Sequence, residues 1–174
     1  AQAKIYAANA PVSFTIDPQT TSPYTVSFHN RLKRGSVSFT KTLKSSGEPL
    51  AYIPFRITNT DTNEVHYIIT DENGRFDSER GAHSKDTNGA DNILSAYTPD
   101  TDIIPGSVID ELVENGAAAC GVWFTPGSAD DAKKALPVGN YKIEEMKTER
   151  TKSLVMQTLS FTVTENGQAV DLGT

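Results

Sequence analysis

Ser36-Val37-Ser38-Phe39-Thr40-Lys41 alternates small polar with apolar side chains and ends on a lysine where the pattern calls for another apolar residue. Successive side chains of an extended strand point to opposite faces. Val37, Phe39, Lys41 and Leu43 therefore share one face, and Ser36, Ser38, Thr40 and Thr42 the other, so Lys41 is predicted to point inward. The same period of two recurs at Tyr24–Asn30, Pro49–Ile57, Val65–Ile69, Tyr141–Glu145 and Leu159–Val163. Glu72-Asn73-Gly74 and Glu165-Asn166-Gly167 supply the residues that tolerate positive φ in hairpin turns. The pattern predicts an all-β, mostly antiparallel sandwich.

One stretch breaks the rhythm. Residues 75–119, rich in Asp, Asn, Gly and Ser, read as a long loop insertion before Val122-Trp123-Phe124. Within it, Ser107 to Asn115 predicts a short helix with Ser107 as N-cap and Gly116 as stop, turning Val108, Ile109, Leu112 and Val113 toward the sheet.

Composition narrows the function classes. A chain of 174 residues buries roughly 70% of the surface its unfolded form exposes, enough for a full core without disulfides. The single cysteine, Cys120, cannot close an internal disulfide and reads as a small strand residue. A net charge of −6 with scattered lysines argues against a nucleic-acid partner. No apolar run approaches the ~20 residues of a membrane span, and Ala1-Gln2-Ala3-Lys4 opens no signal peptide, so export and anchoring signals are expected outside this chain.

A partial internal repeat sets the domain reading. Ser13-Phe14-Thr15-Ile16 matches Ser160-Phe161-Thr162-Val163 at an offset of 147 residues. The first copy continues through Tyr24–Asn30, and projecting Asn30 by the same offset falls just beyond Thr174. The expected organisation is therefore a slice of a tandem array. Residues 1–30 are the C-terminal strands of a preceding domain, 31–35 a short basic linker, and 36–174 a second domain lacking its final strand tip.

Three predicted strands each carry one inward polar residue: Lys41, Glu145 (sharing a face with Tyr141 and Ile143) and Asn30 (sharing a face with Tyr24, Val26 and Phe28). Burial disfavours the charged form of an amine or a carboxyl. A neutral ε-amine can attack a side-chain carbonyl carbon while a protonated carboxyl hydrogen-bonds the carbonyl oxygen and moves protons. The plainer alternative is a partly buried lysine–glutamate ion pair that catalyses nothing.

Gly35-Ser-Val-Ser-Phe-Thr-Lys41, Gly47-Glu-Pro-Leu-Ala-Tyr-Ile-Pro-Phe55, Thr70-Asp-Glu-Asn-Gly-Arg-Phe76 and Leu136-Pro-Val-Gly-Asn-Tyr-Lys-Ile-Glu-Glu145 resemble, in order, the motifs of Cna B-type (SpaA-like, prealbumin-like) domains of Gram-positive surface proteins and pilins. Gly121-Val-Trp-Phe124 and Val170-Asp-Leu-Gly-Thr174 further resemble the VaFE-repeat branch. The resemblance implies an Ig-like, prealbumin-like sandwich that cross-links itself once through a Lys–Asn/Asp isopeptide bond. By it, Lys41 is the bond's amine, Glu145 the catalytic carboxyl, and Asn30 the acceptor of the preceding domain, with the second domain's own acceptor near 176 or 177. It also implies a cell-wall-anchored, extracellular location, tandem domains of the same polypeptide as partners, and no cofactor.

Other signals are weak. Asp86 to Asn92 spaces oxygen ligands like part of a calcium loop but lacks the bidentate glutamate, and reads as a solvated loop. His29, His66 and His83 lack metal-ligand spacing, two of them on outward strand positions, so no metal is expected. No nucleophile elbow or Cys/His pair suggests a turnover enzyme. The competing function is an adhesin module, in which the 75–119 insertion binds a host protein or glycan.

Overall fold

Arg34–Thr40 forms strand β3, the first long strand of the sandwich. The structure is a computed structural model, and it describes residues 6, 7, 9–19, 21–28, 30–81, 92–125 and 135–174. Around β3 lie β1 (Tyr6–Ala7), β2 (Arg31–Leu32), β4 (Pro54–Asn59), β5 (Glu64–Ile69), β6 (Arg75–Asp77), β7 (Leu136–Pro137), β8 (Gly139–Glu145), β9 (Thr158–Val163) and β10 (Ala169–Asp171). One sheet runs β10-β3-β6, with β7 also paired to β3, and the other runs β5-β4-β8-β9. Among the described strands the pairings are antiparallel except β10 with β3, which lie parallel with Ala169 level with Ser36 and Asp171 with Ser38. The all-β sandwich read from the alternation is the fold observed.

The two sheets bury Val37, Phe39, Phe55, Ile57, Phe76, Tyr141, Ile143, Phe161 and Val163 between them. Aromatic rings interlock across this layer: Phe39 meets Phe55 edge-on at 4.9 Å, and Tyr141 stacks on Phe161 at 5.1 Å. Removing this apolar surface from water is the main force holding the sheets together.

The insertion is more than a loop. Helix α1 (Gly106–Glu114) and a 3-10 turn at Ile93–Ala96 bury Leu94, Ile109 and Leu112 against Tyr67, Ile69 and Met146, forming a second apolar cluster on the far face of the β5-β4-β8-β9 sheet. Both faces of β5 are thereby covered. This corrects the outward placement of His66, which is buried and packs edge-on against Phe124 at 4.4 Å. Ser107 is not the N-cap: Pro105 holds that position with extended backbone, its carbonyl accepting from Val108 N, and its hydrocarbon ring supplies no side-chain cap. Gly116 does stop the helix, in the left-handed conformation at φ 77°.

Three further expectations change. Tyr24 to Phe28 forms no strand, and the side chains of Tyr24 and Phe28 are 60% and 64% exposed. Alternation specifies facing, but a strand also needs a neighbour to hydrogen-bond. Arg34 and Gly35, placed in the linker by the sequence reading, belong to β3, and Arg34 is buried. Its guanidinium donates to the carbonyls of Phe124 and Ala135, both at 2.8 Å, and stacks 3.9 Å over the Trp123 ring, which compensates its burial. Cys120 is not in a strand but ends a short 3-10 turn, with Sγ 3.5 Å from the Gly116 carbonyl. The loop 86–91, His29 and His83 lie outside the described residues; Asn92, the last of the calcium-like stretch, caps the turn at Ile93–Ala96 by accepting from Leu94 N.

Candidate functional site

Lys41 follows β3 directly, and its backbone is fixed on both sides: its N–H donates to the Gly74 carbonyl at 2.7 Å, and its own carbonyl accepts from Leu50 N at 2.8 Å. Gly74, in the turn that separates β5 from β6, has φ 70°, and a Cβ there would lie 2.5 Å from the Lys41 carbonyl oxygen. Only glycine meets both demands. The sequence marked Asn73-Gly74 as a turn but held no sign that it braces the lysine.

Glu145 closes β8 opposite Phe55 of β4. Its N–H donates to the Gln157 carbonyl at 2.8 Å, and Gln157 N donates back to Oε2 at 3.1 Å. Lys41 Nζ reaches the same Oε2 at 2.9 Å, with the lysine side chain 15% exposed and the glutamate side chain at 0%. The other oxygen, Oε1, is buried and has no hydrogen-bond partner among the described residues. A buried carboxyl oxygen without a donor is costly, so a polar hydrogen brought to Oε1 would be stabilised there. Alternation brought Lys41 and Glu145 to one side of the core; Gln157 had no signal in the sequence.

Asn30 is not brought to this pair. Its side chain is exposed and accepts from Asn9 Nδ2 at 3.0 Å, beside the short ribbon of β1 and β2. What lies beside Lys41 is β10. Leu172 N donates to Ser38 O and Thr40 N to Gly173 O, both at 2.9 Å, so the parallel ladder continues past Asp171 and brings position 174 level with Lys41. Val170 and Leu172 turn toward the core, which gives 174 and 176 the same inward parity. Asn166 and Asp171 serve other ends: Asn166 Oδ1 accepts from Arg34 N at 3.2 Å, and Asp171 Oδ1 from Gly173 N at 3.0 Å.

A second polar group ties the sheet to the segment after Trp123. Glu64 accepts from His66 Nε2 at 2.8 Å and from Thr125 N and Oγ1 at 2.9 and 2.7 Å. Burial pushes the Glu64 carboxyl upward, but the hydrogen bonds from His66 and Thr125 outweigh it and hold the group below its ordinary value. Glu144 is likewise lowered, burial being outweighed by Lys142 and Arg56 at 2.9 and 2.7 Å. Among the described residues no cluster of His, Cys, Asp or Glu could hold a metal ion, and no helix is long and apolar enough to cross a membrane. An open cleft of about 340 Å³ separates Tyr52 and Asp71 from Arg80 and the end of α1, but Asp71 and Arg80 are already paired to each other at 2.9 Å.

No protein-family model matches the chain, and no curated protein matches it. Among solved structures it is similar to the Bacillus anthracis TIE protein, at 18% identity and a TM-score of 0.44 over 83% of this chain and 17% of that one. It is also similar to BcpA, the major pilin subunit of Bacillus cereus, at 13% identity and a TM-score of 0.41 over 84% of this chain and 31% of that one. The chain thus spans less than a third of the length of either.

Proposed function

We propose that this chain is a structural stalk or spacer segment of a Gram-positive cell-wall-anchored surface protein or pilin, competent to tie its first and last strands with a Lys–Asn/Asp isopeptide bond. The observation that carries the reading is the contact of Lys41 Nζ with Glu145 Oε2 at 2.9 Å, with Oε1 buried and open, beside a strand parallel to β3. Proton transfer from Lys41 to Glu145 across that contact yields an amine and a carboxylic acid together. The amine attacks the acceptor's side-chain carbon, the acid hydrogen-bonds the carbonyl oxygen, and ammonia or water leaves. The acceptor in this reading lies on the continuation of β10, near 176 or 177. In this reading residues 1–30 belong to a preceding domain whose acceptor is Asn30, and neighbouring tandem domains are the partners.

The test is the denatured intact mass of the polypeptide carrying the residues that follow Thr174, in wild type and in Glu145→Ala. The expected result is a deficit of one ammonia or water, mapped to Lys41 and absent from the variant. An unmodified wild-type mass sinks the reading and leaves an ion pair.

The adhesin alternative fares less well, because the insertion supplies the second apolar cluster and so has a structural role of its own. Deleting it would strip Tyr67, Ile69 and Met146 of their cover, so loss of host binding after such a deletion would not distinguish the two readings.

A further inference from the structure

The outer backbone groups of an edge strand need partners as much as those inside a sheet. In the β5-β4-β8-β9 sheet, β5 carries Glu64 and His66 and is tied to Thr125, whereas β9 has no strand on its outer side among the described residues. The ladder with β8 fixes where the free groups of β9 point. Glu145 N donates to Gln157 O and Thr60 N to Asn140 O, so odd residues of β8 bond to β9 and even residues to β4. Level with them, Leu159, Phe161 and Val163 direct their main-chain groups to β8. Thr158, Ser160 and Thr162 direct theirs outward, and all three residues are exposed.

Natural sheets blunt such an edge with a charge, a proline or a bulge. β9 has no charge and no proline, and its register with β8 runs unbroken from Thr158 to Val163. Its sequence reads nearly the same in both directions: Thr158-Leu159-Ser160-Phe161-Thr162. Two copies run antiparallel about Ser160 put Thr158 opposite Thr162, Ser160 opposite Ser160 and Leu159 opposite Phe161. The residues then joined by main-chain bonds are the three whose groups point outward; a register centred on Phe161 would call on groups that β8 already holds. Leu159 adds an apolar reason, since it lies on the core side level with Ile143 and yet is 46% exposed.

We infer that this chain associates with a second copy of itself by antiparallel pairing of β9 with β9 about Ser160, joining the two four-stranded sheets edge to edge. A two-fold interface must be self-complementary, and this strand is. Thr–Thr pairs meet on the outer face, and Phe161 of the second copy covers Leu159 on the inner one. No like charges are opposed at close range: Lys142, level with Ser160 on β8, is three strand spacings from its copy, about 14 Å, beyond the ~8 Å screening length at physiological salt. The contact sets two sandwiches side by side, and Lys41 and Glu145 take no part in it, so it stands apart from the isopeptide reading.

The experiment is sedimentation equilibrium of the whole chain at rising concentration, in wild type, Ser160→Glu, Ser160→Lys and an equimolar mixture of the two variants. Ser160 is exposed, so neither change threatens the core, and urea midpoints check that each variant is folded. The expected result is a wild-type dimer, and a dimer Kd raised about tenfold or more in each variant alone, because like charges then face each other across the axis. The mixture should regain the dimer, since opposite charges then meet there. A wild type that is monomeric up to about 1 mM, dimers indifferent to Ser160→Glu, or a mixture no tighter than the separate variants overturns the pairing.

Discussion

Glu64 shows how a single carboxylate can link the sheet to the segment after Trp123. Its two oxygens take three donors from His66 and Thr125, and together they hold the carboxyl below its ordinary value against the upward push of burial. A group depressed in the folded state contributes stability that is fully present above the unfolded-state value, ~4.3 for glutamate. That stability is lost as the pH falls through the folded-state value. Glu64→Gln should therefore destabilise the protein near neutrality, and the gap from wild type should close on acidification below about pH 4. Urea midpoints across that range are the check; a gap that is constant with pH would mean the carboxylate's charge contributes nothing. None of this was legible in the sequence, because Thr125 lies 61 residues from Glu64 and only the fold brings them together.

At the scale of elements, the strands were legible and their company was not. The alternating runs at 36–40, 65–69, 141–145 and 159–163 all became strands, since a period of two with one apolar face has few other uses. Tyr24–Phe28 has the same period and did not, for want of a paired neighbour. Helix α1 and the turn of its apolar side toward the sheet were legible from the spacing; that β5 is buried on both faces, with Tyr67 and Ile69 under the helix and His66 and Ile68 in the sandwich core, was not. At the candidate site the inward direction of Lys41 and Glu145 could be counted along each strand, whereas Gly74 and Gln157, which fix them, act through backbone groups that leave no residue-type signature. The second cluster makes its own prediction. Leu112 is 6% exposed and central to it, so Leu112→Ala should cost about 2–4 kcal/mol, read as a drop in the chemical denaturation midpoint. A cost near zero would mean the insertion rests on the sheet without stabilising it.

For the whole molecule the decisive feature is the parallel pairing of β3 with β10. Tension entering at Arg34 and leaving beyond Leu172 pulls two parallel neighbours in opposite directions, loading their ladder in shear rather than peeling it bond by bond. That ladder is short, running only from Gln168 to Gly173, so hydrogen bonds alone offer limited resistance. A covalent tie between Lys41 and an acceptor at 176 would carry the load past the ladder, closing a loop of roughly 135 residues and restricting the unfolded chain by ~5 kcal/mol on the chain-entropy model. Stretched singly from its two ends, the bonded polypeptide should show no extension from residues 42–175, whereas Lys41→Arg, which keeps a cation beside Glu145 but cannot form the bond, should unfold with the full contour of the sandwich. If both extend alike, the ion pair and the ladder are all that join the first strand to the last, and resistance to force would have to come from the packing between the sheets.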